Sequence, residues 1–598
     1  MIGIELENGK RLNVPERSTL EIERNSPFFS NNDEWAGERS TPITLRYTKE
    51  NAQSLEHDYH FHSKRYKKVL DANLYDGTIF RQRGKFILEG ASINNNHSQT
   101  GEMRGYFVFA LSNFYQIIKD KKLKSLSLGG KRSYNWTTNN PNDASNGFWQ
   151  WLHSTWAGNQ EVVIAPIRND SATEPLTISV PVIGTVITIA TDWINKIGTD
   201  FKLDYNINLI LNSICPQIRV KYIVDKIFEE HGYTVEYEVG DYQWEKLFLT
   251  SLIPFNWVNR VELPSWPFFT FQPKSTIDIY LAEHLPNKNI TDFLVQLCNR
   301  YGWRLLIDDN RKVCRIKAVK TIRKGKRKDW SSYAAAESES DFKEGKKVFA
   351  FLNEVDSGDS LPIKGEFGDK TILPSVYRYQ DLPTATGLIV NHVAYTYIEN
   401  TYWIVQQNTD TQTYSWVPFS DNIFSFEPEG KTDTIETTMS TIPVARAVFQ
   451  TVSGVDRYGI FPVMKQKFNL DFGFRTVFYH GVVPDELANG VTSTGSYPHL
   501  SSLWRIPGPA DDDVWSNVFV QDYNDEKRGI IEYWFKDWIN IISEGEDMKF
   551  VMRVPRKELM DFQWDDIILI RNIPFLVKSI IEPIPYQNKA EVTLRRIG

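Results

Sequence analysis

PQIRVKYIVDKIFEEHGY at residues 216–233 and PNKNITDFLVQLCNRYGW at residues 286–303 read as one pattern written twice, 70 residues apart and without a gap. Pro216 aligns with Pro286, Val220 with Ile290, Ile223 with Phe293, Val224 with Leu294, Ile227 with Leu297 and Phe228 with Cys298. His231-Gly232-Tyr233 then falls on Tyr301-Gly302-Trp303. Apolar residues at i, i+3, i+4, i+7 and i+8 lay one stripe along a helix. The glycine stands where the chain leaves that helix left-handed, and an aromatic opens a strand. In the second copy, Asn289 with Asp292 resembles a capping box, with Asp in place of the usual Glu or Gln. Any capped amphipathic helix followed by a strand shares parts of this pattern. A proline and a glycine in the same register at both ends favour a duplicated helix–strand unit. Residues 216–237 and 286–307 are therefore each expected to fold as a helix, a glycine stop and a strand, with Ile223, Ile227, Phe293 and Leu297 in the core.

A chain of 598 residues exceeds what one core supports, and three to five domains are expected. Aromatics make up 13% of it, with 18 Trp, 27 Tyr and 35 Phe, a content that suits β-structure and large interfaces. Carbohydrate recognition would use the same residues. The net charge of −7 excludes the molecule as a whole as a counter-ion for nucleic acid. Cys215, Cys298 and Cys314 are too few and too scattered for a disulfide framework or a zinc site, and Cys298 and Cys314 fall at core positions. Met1-Ile2-Gly3-Ile4-Glu5 lacks the basic and apolar regions of a secretory signal, so synthesis in a cytoplasm is expected. No run reaches the 18 to 20 apolar residues of a membrane span. The charge-free run 175–191 reads as two strands around a turn.

The fold class that follows is α+β, mainly β: a multidomain chain with antiparallel β-barrels and a duplicated helix–strand unit. The divisions are an N-terminal β domain (1–125, with a tight turn at Asp76-Gly77), an inserted β subdomain (126–205) and the duplicated helix–strand α/β domain (206–330). A β-rich domain (331–475), a loop-rich segment with a helix (476–545) and a small C-terminal β-barrel (546–598) complete the chain. Asp308-Asp309-Asn310 marks a hairpin tip. Ten Lys or Arg residues crowd 311–328; they could meet a phosphate backbone, but the acidic stretch that follows favours a solvated linker. Trp534, Phe535, Trp538, Ile541 and Ile542 recur at helical spacing.

No residue qualifies as catalytic, cofactor-binding or metal-binding. His57, His60 and His62 form the one histidine cluster, yet Ser63-Lys64 stands where a binuclear hydrolase needs an Asp-His pair. Gly129-Gly130-Lys131 lacks the earlier glycine and following hydroxyl of a phosphate loop, and Asp511-Asp512-Asp513 lacks the spacing of a calcium loop. Paired carboxylates for glycan hydrolysis are defined by geometry and are not legible here.

The order of parts, with Ser213-Ile214-Cys215-Pro216, the helix endings at 231–233 and 301–303, Asp329-Trp330-Ser331, residues 475–481 with Tyr497-Pro498, and Val577-Lys578-Ser579-Ile580, resembles the tail hub or tail-associated baseplate proteins of tailed bacteriophages, in a lineage found in phages and prophages of gut bacteria. About two-thirds of the chain is covered, by structural motifs without a catalytic signature. The resemblance implies a non-enzymatic virion protein, assembled in the bacterial host cytoplasm, that forms a homotrimeric ring at the distal end of the tail tube. Its partners would be the tube and distal tail proteins and the tail-tip or receptor-binding proteins, and DNA would pass through without sequence-specific binding. No cofactor is implied. A glycan-binding or glycan-cleaving tail spike and the hub of a phage-derived injection apparatus are the alternatives. Residues 126–205 carry none of these motifs.

Overall fold

The computed structural model describes residues 1–340 apart from 30–36, 47, 56–67, 94–100, 138–145, 159, 170–175, 181–184, 190–191, 199, 241–242 and 263–268. It also describes separate strands between 348 and 437, most of 438–501, and 534–597 apart from 588. In both copies of the repeated pattern the chain runs helix, glycine, strand. Helix Val220–Glu229 leads through Gly232 (φ +74°) to strand Thr234–Glu238, and helix Ile290–Tyr301 through Gly302 (φ +60°) to strand Trp303–Asp308. The two exits differ in detail. At the first, Tyr233 N–H donates to the Phe228 carbonyl and Gly232 N–H to that of Glu229, a Schellman pair; at the second, Gly302 N–H alone donates to the Cys298 carbonyl. Both copies share one neighbour. Thr234–Glu238 lies parallel to strand Val313–Ala318 on one side, and Trp303–Asp308 antiparallel to it on the other.

Ile223, Ile227, Phe293 and Leu297 are buried in a single core. Phe293 packs edge-on to Phe474, 5.6 Å between centroids. Truncating it to Ala is expected to lower stability by about 3–5 kcal/mol, read as a shift in denaturation midpoint at unchanged m. The expected capping box is not made, because the Asn289 side chain accepts no bond from the helix. Backbone from outside the unit replaces it: Ile290 N–H donates to the Lys121 carbonyl, and Leu123 N–H to that of Lys288.

The two ends of the chain belong to one sheet. Strands Ile2–Leu6, Lys68–Asp76, Ile79–Ile93, Gly101–Phe109, Glu38–Ser40 and Leu20–Asn25 pair in that order, joining the C-terminal strands through Ile573–Ile584. That 12-residue strand is long enough to serve two partners along one edge: residues 573–576 pair with Ile567–Ile570, and residues 579–584 with Leu20–Asn25. Its other edge carries Ala590–Arg596, then Asp547–Met552 and Ala334–Ser340. The C-terminal strands curl as a half-barrel around Trp330, Phe550, Phe562, Phe575 and Val592. The architecture is α+β and mainly β, as the sequence implies.

Two expectations about the chain's organisation change. The basic run 311–328 is no linker: it forms strand Val313–Ala318, a 3-10 turn and strand Arg327–Asp329, which pairs parallel with Ile567–Ile570. Arg315, Lys317 and Lys328 reach carboxylates, and Lys320 lies over the Trp534 ring, so charge density and strand structure coexist. The loop-rich reading of 476–545 fails up to residue 501, where strands Arg475–Leu487 and Thr492–Ser501 form a long ribbon. The turn-forming residues there sit beside register shifts within the pairing. Among the aromatics described, Trp149, Trp257, Trp303 and Trp330 are fully buried, and no Trp is among the exposed large hydrophobic residues described. Within 126–205, helix Gly147–Ser154 places Phe148 and Trp149 in the main core. The charge-free run forms the antiparallel pair Leu176–Val180 and Thr185–Ile189.

Candidate functional site

The N-terminal sheet, the helix–strand unit and the C-terminal half-barrel meet at a cleft of about 220 Å³. Its geometry follows from the hairpin tip at Asp308-Asp309-Asn310. Helix Ala110–Ile118 starts at Phe109 without a side-chain cap of its own. Asp309 supplies one from 199 residues away: its Oδ2 accepts from Ala110 N–H at 2.8 Å and from Asn113 Nδ2 at 2.9 Å. Its Oδ1 accepts the Tyr233 hydroxyl, which also accepts from Lys312 Nζ at 3.0 Å. Burial pushes the Asp309 carboxyl up while these donors hold it down, with a net rise, and burial beside Asp309 pushes the Tyr233 phenol up.

Around the cleft, charges close in pairs between distant parts of the chain. Glu38 accepts from Arg24 Nε at 2.9 Å and from Gln82 Nε2 at 2.8 Å, and the Arg24 guanidinium lies 5.5 Å from the Trp564 ring. Arg81 donates twice to Glu582 Oε1, with both side chains buried. Arg315 reaches Glu238 at 3.2 Å and Asp565 at 3.1 Å, Lys317 reaches Asp565 at 2.5 Å, and Lys328 reaches Asp566 at 2.7 Å. Burial works to raise the Asp565 carboxyl, but Lys317 and Arg315 outweigh it and hold it below its ordinary value. The site is a joint: Glu38, Asp309, Asp565, Asp566 and Glu582 are committed to bonds that fasten one part of the chain to another. None of these pairs is visible in the sequence, since the partners stand tens to hundreds of residues apart.

The other motifs separate. His57, His60, His62 and Asp511-Asp512-Asp513 lie outside the described residues. Gly129 and Gly130 form a turn, and Lys131 after them pairs with Asp278 at 2.9 Å. The three cysteines are buried free thiols; burial pushes Cys298 up to about 12. Among the described residues no group of three His, Cys, Asp or Glu could hold a metal ion, and no helix is long and apolar enough to cross a membrane.

His284 shows where acid should act. Its Nδ1 lies 2.8 Å from the Ile253 carbonyl, and burial lowers its pKa to about 4. In the unfolded chain it takes a proton near pH 6.5, so the unfolded state binds more protons between these values. Its contribution is complete above about pH 6.5 and is lost as pH falls toward 4, by about 3 kcal/mol. The midpoint difference between wild type and His284→Gln, measured at pH 7 and pH 4.5, should shrink or reverse at the lower pH.

No protein-family model matches the chain, and no curated protein does. Among solved structures it is similar to the 43 kDa tail protein of prophage MuSo2 from Shewanella oneidensis, with a TM-score of 0.31 and 8% identity over 100% of this chain and 97% of that one. It is also similar to prophage tail protein gp18 from Listeria monocytogenes EGD-e, with a TM-score of 0.28 and 9% identity over 99% and 94%. The tail protein from Neisseria meningitidis MC58 gives 0.30 and 7% over 100% and 96%. At such TM-scores the likeness is loose, and no functional weight rests on it.

Proposed function

We propose that the chain is a structural protein of a bacteriophage tail: a hub at the distal end of the tail tube, anchoring tail-tip or receptor-binding proteins. The order of its parts in sequence supports this reading. The observation that carries it furthest is the joining of the chain's ends, with Leu20–Asn25 laid along residues 579–584 and Arg81 buried against Glu582 across the join. A part that holds a tube to its tip during ejection needs its domains in fixed register, and strand pairing between the two ends leaves neither sheet free to peel away. Three copies would close a ring around the DNA passage, because an open head-to-tail contact would propagate instead of closing. The duplicated helix–strand unit, taken three times, suits a six-fold tube. DNA would pass without sequence-specific binding, and assembly would take place in the bacterial host cytoplasm.

The reading includes no catalysis. Purified protein is expected to hydrolyse neither peptidoglycan nor capsular polysaccharide; turnover abolished by changing a single carboxylate or histidine would refute that part. The hub itself is tested by cryo-EM of the purified particle. Three copies around the central channel are expected, and a peripheral position without channel contact would sink the proposal.

A further inference from the structure

The loop after helix Ala110–Ile118 reads Lys119-Asp120-Lys121-Lys122-Leu123-Lys124. Lys119, Lys121 and Lys122 are exposed and Lys124 half-buried, while Leu123 is buried. Some lysines elsewhere meet carboxylates, as Lys131 meets Asp278 and Lys549 meets Glu591, while Lys10 and Lys274 meet neutral oxygens. Here the partners are neutral as well. Lys119 Nζ donates to Gln116 Oε1, Lys121 Nζ lies 2.7 Å from His231 Nε2, and Lys122 Nζ donates to Asn287 Oδ1. His231 Nδ1 stands 2.7 Å from the Ile227 carbonyl; with its proton directed there, Nε2 is left to accept from Lys121.

The loop is also held in place. Lys121 N–H donates to the Ile118 carbonyl, and the backbone bonds of Leu123 with Lys288 and of Ile290 with Lys121 pin it to the start of helix Ile290–Tyr301. The result is a fixed ridge of four cations, with Asp120 in the loop and Glu230, held by Ser127 N–H, beside it. Protein interfaces bury apolar cores and deplete lysine there, whereas this ridge turns its leucine inward and presents ammonium groups. Lysine acts as a point charge without the planar fork that reads base edges.

We propose that this ridge is a sequence-independent contact for the phosphate backbone of duplex DNA. The choice of duplex DNA among polyanions rests on the tail reading. Four lysines make the contact weak and salt-sensitive, compatible with DNA that slides past.

The test is fluorescence anisotropy of the full chain with two labelled duplexes of unrelated sequence. Both should bind equally, and affinity should fall about 100-fold between 50 and 200 mM salt, the expectation for about four neutralised phosphates. Changing Lys119, Lys121, Lys122 and Lys124 together to Gln should weaken binding at least about 10-fold and flatten the salt slope. The Lys119→Gln/Lys124→Gln pair, which leaves the His231 and Asn287 contacts intact, should roughly halve the slope. A Lys324→Gln/Lys326→Gln control should leave it unchanged, and thermal melts check that each variant folds. Unaltered binding by the fourfold variant overturns the proposal, as does binding of poly-glutamate but not of duplex. DNA binding and position in the particle are separate readouts, so a chain found away from the channel would remove the hub reading while the ridge stood.

Discussion

Replacing Glu582 with Ala is expected to destabilise the joined terminal sheets by about 3–5 kcal/mol, seen as a large fall in denaturation midpoint. Glu582 is 1% exposed and Arg81 is 6% exposed, and the two are 501 residues apart in the chain. Losing the carboxylate leaves a guanidinium buried with its main counter-ion gone, and that residue of uncompensated charge supplies most of the effect. The pair itself contributes much less, since its attraction is largely offset by desolvation. The double variant Arg81→Met/Glu582→Leu should therefore recover most of the loss. If Glu582→Ala alone shifts the midpoint by less than about 1 kcal/mol, the join is not the fastening described here.

Gly325→Ala should cost about 3 kcal/mol or more, for a steric reason. A methyl group there would lie 1.8 Å from the Asp565 carbonyl oxygen. The oxygen it meets is backbone and has no rotamer to yield. The neighbouring strand is pinned by Ile567 N–H donating to the Lys326 carbonyl, and Lys317 and Lys328 close on Asp565 and Asp566 beside it. The parallel seam between Arg327–Asp329 and Ile567–Ile570 would have to open. Gly232→Ala is the control. It meets nothing within 4 Å and carries only the left-handed backbone penalty of about 1 kcal/mol. Limited proteolysis should cut Gly325→Ala near 325–330 and spare Gly232→Ala; equal resistance in both would show that the seam tolerates the methyl.

The local units follow from residues close together in the chain. The helix–glycine–strand pattern at 216–237 and 286–307, the turn at Asp76-Gly77, the hairpin tip at 308–310 and the helical spacing around Trp534 and Trp538 are each set by residues within a few turns of one another. Periodicity, left-handed glycine and turn chemistry act over that range. What those units do for each other depends on contacts that form only when distant segments pack together. Asp309 reads as a hairpin-tip residue until it caps a helix 199 residues upstream. The cations of 311–328 read as a linker until Asp565 and Asp566 arrive from the C-terminal sheet. Asn289 reads as a cap until the backbone of Lys121 takes that place. Pairing between such distant residues leaves no periodic trace, because each partner is an ordinary polar residue locally and acquires its role only when burial removes the water that would otherwise have served it.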